Sequence, residues 1–147
     1  LATLGNGGKL VNPYVVDSIE FKDGSIKKII PDEGESVFKD VNTSENITRM
    51  LVKVVDTALA KGKYKKNHYS IAAKTGTAQM VAPNGKYYDD RYLHSIFAYF
   101  PAYNPDYIIF LYHTNPKGAQ YASQTLTESL FKLIDFTISY YVVAPDR

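Results

Sequence analysis

An α+β fold, an antiparallel sheet with helices on its faces, follows from three features of the chain. Residues 71–81, 94–101 and 107–113 are strand-like runs. The turn signals Asn84-Gly85 and Asn104-Pro105-Asp106 separate them, so they read as an antiparallel meander. Residues 42–62 place apolar side chains at near-helical spacing before the meander, and residues 123–141 do so after it.

The composition narrows the classes. A length of 147 residues suffices for one modest domain with its own core. Hydrophobic residues at 45% and charged residues at 22% place the chain among globular proteins rather than disordered ones. The net charge of +2, from 17 basic and 15 acidic residues, is too balanced to argue for nucleic acid or an anionic membrane as partner. The absence of cysteine excludes disulfides and thiolate metal sites, and is neutral about compartment. No apolar run approaches the roughly 20 residues of a membrane-spanning helix, and no secretory signal is present.

Leu1-Ala2-Thr3-Leu4 reads as the end of a helix, which Gly5-Asn6-Gly7-Gly8 terminates through left-handed conformations. The expectation is therefore a segment of a longer protein, cut inside an element. Tyr14 to Phe21 and Ile26 to Ile30 flank the turn signal Lys22-Asp23-Gly24-Ser25 and predict a surface hairpin. Pro31 to Lys39 reads as loop.

The next helix has Asn42, Thr43 and Ser44 as N-cap candidates and Glu45 in the first turn, where negative charge suits the dipole. Ile47, Leu51, Val54, Val55, Ala58 and Leu59 form its apolar stripe, and Gly62 stops it after Lys61. Lys63, Lys65 and Lys66, with Tyr64 and Tyr69, form a basic, aromatic connection that reads as a solvated loop.

Tyr107 to His113 is nearly all apolar, as expected of a central strand covered on both faces. The last helix, about Ser123 to Tyr141, offers Leu126, Leu130, Leu133, Ile134, Ile138 and Tyr141 for packing, and Pro145 closes the ordered part.

The chemistry concentrates in Lys74-Thr75-Gly76-Thr77-Ala78-Gln79, directly after the apolar Ile71-Ala72-Ala73. A glycine within a strand weakens it unless a ligand or another backbone must come close. A lysine between small residues supplies a point charge suited to an anionic group. Lys74 and Gly76 alternate with Thr75 and Thr77, so the two pairs begin on opposite faces of the pleat. A strand at the rim of a cleft could offer both sets, with free backbone N–H groups, to one ligand.

Lys-Thr-Gly is the third short motif of penicillin-binding proteins and serine β-lactamases, beside Ser-x-x-Lys and Ser-Asp-Asn. Here it extends to Lys74–Gln79 and is followed by His94-Ser95-Ile96-Phe97-Ala98-Tyr99-Phe100-Pro101-Ala102, then Asn104-Pro105, another apolar strand, and Asn115-Pro116-Lys117-Gly118. That succession, together with Leu4-Gly5-Asn6-Gly7-Gly8, resembles the C-terminal part of the transpeptidase domain of class B penicillin-binding proteins, over most of the chain.

The resemblance implies that residues 1–147 are the C-terminal segment of one transpeptidase domain, with about three of the fold's five core strands. It implies a serine that attacks a D-Ala-D-Ala stem peptide to form an acyl-enzyme, resolved by an amine from neighbouring peptidoglycan; β-lactams acylate the same serine. Lys74 would bridge toward the serine of the Ser-x-Asn motif and support the substrate carboxylate. Thr75 and Thr77 would bond that carboxylate, and the Thr77 backbone N–H would serve the oxyanion site. Gly76 would let the substrate pair as an added strand. No cofactor and no metal are implied.

Three Ser-x-x-Lys matches begin at Ser25, Ser36 and Ser129, and Ser44-Glu45-Asn46 is one Ser-x-Asn match. Ser36 and Ser44 are too close together for the family's arrangement, Ser44 reads as a helix cap, Ser25 lies in a hairpin, and Ser129 follows the Lys-Thr-Gly strand. The nucleophile and two strands are therefore expected upstream of Leu1. The segment would then expose a sheet edge and apolar faces, and be stable only within its parent or under a partner. By the same resemblance, the parent is anchored by an N-terminal helix and works on the extracytoplasmic face of the cytoplasmic membrane, where other cell-wall synthesis proteins could join it.

His68, His94 and His113 are scattered without metal-ligand spacing, Asp89-Asp90 sits beside Arg91 in a loop, and the thirteen tyrosines read as packing residues. Two other readings stand beside the transpeptidase. One is a β-lactamase or penicillin sensor, which turnover of a chromogenic β-lactam would reveal. The other is a catalytically silent module of a division or elongation complex, whose upstream sequence would lack Ser-x-x-Lys.

Overall fold

The computed structural model describes residues 2–40 and 42–147. It opens with helix α1 (Ala2–Gly5), ended by Gly7 and Gly8 at positive φ. Strand β1 (Lys9–Val11) pairs antiparallel with β4 (Glu33–Ser36), while β2 (Ser18–Glu20) and β3 (Ile26–Lys28) form the expected hairpin in shorter form. The β4 segment lies where the sequence reads as loop; its partner is β1, more than twenty residues earlier, and no local pattern signals such a pairing. Helix α2 (Thr43–Lys53) leads to the meander of β5 (Ala72–Val81), β6 (Tyr87–Phe100) and β7 (Tyr107–Thr114), in the order β5-β6-β7. Helices α3 (Ala122–Thr125) and α4 (Thr127–Tyr140) complete the chain.

The α+β architecture is as expected, with the motif strand at one edge of the meander. Strand β7 departs from expectation. Among the described residues it pairs with β6 alone, and its side chains alternate between a half-buried set, Tyr107, Ile109 and Leu111, and an exposed set, Ile108, Phe110 and Tyr112. Its all-apolar sequence therefore covers one core face and leaves an aromatic, aliphatic face open.

The sheet sorts the core into two clusters by strand parity. On one face Ile71, Ala73, Ile96, Ala98 and Phe100 pack against Leu126, Leu130, Phe131 and Ile134. On the other, Ala72 and Tyr99 pack against Leu51 and Val52 of α2. Of the expected packing side of the last helix, Leu133 and Tyr141 prove exposed, and Phe131 is buried in their place, stacked on Tyr64 at 4.4 Å. The buried stripe of α4 is Thr127, Leu130, Phe131 and Ile134, and Leu126, at a break (φ −113°) that separates α3 from α4, is buried with it.

The helix expected over 42–62 is also broken. Its regular part ends at Lys53, a π-turn covers Val54–Ala58, and Ala60, Lys61 and Gly62 follow with φ of 48°, 57° and 76°. Its caps differ as well. Asn42 makes no side-chain cap bond, and Ser44 lies inside the helix, buried, donating its hydroxyl to the Leu4 carbonyl at 2.5 Å. That bond ties α2 to α1, so Ser44 is a tertiary contact rather than a cap.

The C-terminal residues are fastened rather than loose. Asp146 accepts from the Ser70 backbone N–H at 2.7 Å and from the Ser70 hydroxyl, and Arg147 forms a bidentate pair with Asp56 at 2.6 and 2.9 Å. The Arg147 guanidinium also donates to the Lys66 carbonyl, and its pKa is raised by the Asp56 bond. Ser70 in turn accepts from the Ala102 N–H at 3.0 Å. The start of β5 is thus clamped between the chain's tail and the end of β6. Pro145 marks no end of order.

Two predictions follow from strain and burial. A left-handed alanine costs about 1–2 kcal/mol, whereas at Gly62 an added Cβ would sit 2.6 Å from the Asp56 carbonyl oxygen. Ala60→Gly should therefore raise the thermal unfolding midpoint and Gly62→Ala should lower it, measured by calorimetry.

Tyr99 is buried and hydrogen-bonded to Thr48 at 2.7 Å, and burial raises its phenol above the ordinary value although the Thr48 bond opposes this. The unfolded chain then loses this proton first, so the stabilisation is complete below about pH 10 and lost as pH rises through the folded-state value. Tyr99→Phe should flatten that alkaline loss, as read by urea unfolding at about pH 8 and about pH 10.5.

Candidate active site

Strand β5 begins in the core and runs out to the surface. Ile71, Ala72 and Ala73 are at most 1% exposed, and from Lys74 onward the strand emerges: Lys74 and Thr77 are exposed, Thr75 and Gly76 half-buried. The small Ala72 and Ala73 let both core clusters close tightly on the strand, which fixes the point at which it leaves the core.

The register with β6 sets the two faces. Lys74 lies opposite Phe97 and Gly76 opposite Ser95, on the face of α2; Thr75 lies opposite Ile96 and Thr77 opposite His94, on the face of α3 and α4. The expected alternation of the motif holds. Among the described residues β5 pairs with β6 on one side and with no strand on the other. The four motif residues therefore occupy an open sheet edge.

Lys74 and Thr77 have definite side-chain partners. The Lys74 ammonium donates to the Thr75 carbonyl at 2.6 Å, held against its own strand. The Thr77 hydroxyl oxygen accepts from the Ala122 backbone N–H at 3.0 Å. Gly76 has a local reason beyond ligand approach, because an added Cβ would stand 2.6 Å from the Ser95 hydroxyl oxygen.

His94 is fully buried. Its Nδ1 lies 2.9 Å from the Thr125 hydroxyl and its Nε2 3.1 Å from the Gln120 carbonyl. Ala122 carries no motif signature in the sequence, and Ser95 is visible there only within the run His94–Ala102. His94 is visible there as one of three scattered histidines and as the first residue of the strand that follows the motif.

The serines of the short matches are placed elsewhere. Ser25 is exposed in the β2–β3 turn, where its N–H and hydroxyl both donate to Asp23 at 2.9 and 2.6 Å; the hydroxyl bond holds the Asp23 carboxyl below its ordinary range. Ser36 is exposed on β4 and donates to the Phe38 carbonyl at 3.1 Å, and Ser129 is exposed on α4.

Asp89, Asp90 and Arg91 are exposed near the tip of the β5–β6 hairpin, with Arg91 over the Tyr88 ring at 4.2 Å. His68 and His113 are exposed, and among the described residues no group of three or more His, Cys, Asp or Glu side chains could hold a metal ion. A hollow of about 450 Å³ lies between α1 and α2, lined by Leu4, Ser44, Thr48 and Tyr103, and includes none of the motif residues. No described helix is long and apolar enough to cross a membrane.

The Gly76–Ser95 contact makes a prediction. Gly76→Ala should destabilise the protein by about 1–3 kcal/mol through overpacking. Ser95→Ala should restore most of that loss, because the remaining Cβ–Cβ separation of 4.0 Å is ordinary contact. Thermal unfolding of the two single variants and the double variant measures both.

Comparison with known proteins bears on the family and the fold. The family model of the penicillin binding protein transpeptidase domain matches residues 1–134. Stage V sporulation protein D of Bacillus subtilis is 32% identical over 116 residues, covering 77% of this chain and 17% of that protein. The peptidoglycan D,D-transpeptidase FtsI homolog of Mesostigma viride is 31% identical over 120 residues, covering 74% of this chain and 20% of that protein. Penicillin binding protein 3 of Mycobacterium tuberculosis, in its crystal structure with ampicillin, superposes with a TM-score of 0.78 at 27% identity, over 98% of this chain and 34% of that one. The chain thus spans about a fifth or less of the length of these two relatives, and it belongs to the penicillin binding protein transpeptidase domain family.

Proposed function

We propose that this chain is the C-terminal part of a serine-type D,D-transpeptidase that cross-links peptidoglycan and is acylated by β-lactams. The observation that carries the reading is the geometry of β5: a cation, two hydroxyls and a glycine on an unpaired sheet edge, held at one end by the core. The naming of one relative as a peptidoglycan D,D-transpeptidase, and the capture of another family member with ampicillin, support it.

In this reading a serine outside the chain attacks the carbonyl of the penultimate D-Ala. Its proton passes to a base, and the terminal D-Ala departs as an amine after gaining a proton. An amine of a neighbouring stem peptide then attacks the acyl ester, forms the new amide and returns the serine. Residues 74–77 serve both steps. Lys74 supplies positive charge and swings from the Thr75 carbonyl toward the Ser-x-Asn serine; Thr75 and Thr77 bind the terminal carboxylate. Gly76 leaves room for the substrate backbone, and the Thr77 N–H stabilises the oxyanion.

The exposed face of Ile108, Phe110 and Tyr112 is then where the upstream part of the same domain packs. The parent is anchored by a helix outside this segment and acts on the extracytoplasmic side.

Intact mass spectrometry of the full-length protein after exposure to benzylpenicillin tests this. A gain of one equivalent mapped to a Ser-x-x-Lys serine outside residues 1–147 is expected, with Lys74→Ala slowing acylation at least about tenfold. Labelling at Ser36 or Ser129, or none at all, contradicts the reading, and rapid turnover of a chromogenic β-lactam would reassign the protein as a β-lactamase.

A further inference from the structure

We propose that His94 is a positioning residue for carboxylate recognition, acting through the turn at 120–125 to hold the Thr77 hydroxyl as a hydrogen-bond donor; this rests on the reading of Thr77 given above. A fully buried imidazole is costly unless both nitrogens are paired. Both partners of His94 lie in one turn: the Gln120 carbonyl at 3.1 Å from Nε2 and the Thr125 hydroxyl at 2.9 Å from Nδ1. A carbonyl only accepts, so Nε2 donates to Gln120, and the Thr125 hydroxyl lies within reach of both Nδ1 and the Ala122 carbonyl, at 2.9 and 3.3 Å.

Between these anchor points sits Ala122, itself fully buried. The preceding donors of the turn are satisfied internally, since the Gln124 side-chain oxygen accepts from the Gln120 and Tyr121 N–H groups at 3.1 and 2.9 Å. The Ala122 N–H instead reaches across to the Thr77 oxygen at 3.0 Å. His94 lies opposite Thr77 in the β5–β6 register, so the loop of contacts closes on one cross-strand pair.

The consequence is chemical. A threonine hydroxyl has one proton and two lone pairs. With one lone pair committed to Ala122, the proton is excluded from that direction and stays available to a ligand. Without that bond the hydroxyl is a free rotor, and a ligand carboxylate must order it at an entropic cost. His94 touches no ligand in this scheme; it fixes the distance at which Ala122 meets Thr77.

The test uses the full-length protein and two acylating probes, benzylpenicillin and its methyl ester, which lacks the carboxylate charge. His94→Phe keeps the ring and removes both nitrogens; His94→Gln keeps a donor and an acceptor. The expected result is an acylation rate constant for benzylpenicillin reduced about tenfold by His94→Phe, partial recovery in His94→Gln, and little change with the ester. Thr77→Val should show the same selectivity, and adding His94→Phe to it should cost little more. Thr125→Val, which removes only the Nδ1 partner, carries the comparison if His94→Phe does not fold.

Equal slowing of both probes, or a full additive loss in the double variant, would mean that His94 serves only the fold. If Thr77→Val leaves the ratio of the two rates unchanged, the carboxylate role of Thr77 fails first, and the role of His94 fails with it.

Discussion

The position of Ile71, Ala72 and Ala73 between two core clusters is the constraint on which the rest depends. These residues are sealed on both faces of the sheet, and neither a slip nor a tilt of β5 is compatible with that packing. A shift of one residue would move Thr75 and Thr77 to the side of α2 and Lys74 to the side of α4. Everything that gives the motif its chemical character is thus inherited from three apolar residues that carry none.

Around that fixed point the structure adds supports on both sides. The clamp of Ser70 by Asp146 and Ala102 holds the approach to the strand, and the His94–turn–Ala122 arrangement holds its outer part. Both use buried or half-buried polar groups whose partners lie far away in sequence, a design that is costly when one partner is missing and rigid when all are present.

Much of this was legible in the sequence. The strand-turn-strand pattern of 71–113 gives the meander and its order, and the Lys-Thr-Gly extension with the strands after it gives the family. What escaped were features set by distant partners or by backbone irregularity. The β1–β4 pair depends on a long-range contact, and a break at Leu126 divides the last helix into α3 and α4. The register at the site is the clearest case. A hairpin closed tightly on Asn84-Gly85 places Thr77 opposite Tyr92. An irregularity between Gln79 and Val81 shifts the pairing and brings His94 there instead. A turn signal fixes register only when the strands beyond it are regular.

The tail clamp has a temporal side. The bonds that secure the start of β5 join Ser70 to Asp146 and Asp56 to Arg147, contacts separated by 76 and 91 positions along the chain. A polypeptide emerging from its N-terminus completes the Lys74–Gln79 strand long before the residues that fasten it exist. During that interval the strand has an open edge and an unclamped base, the combination that invites mispairing. For this strand, synthesis through Asp146 and Arg147 is the step that turns a formed element into a held one.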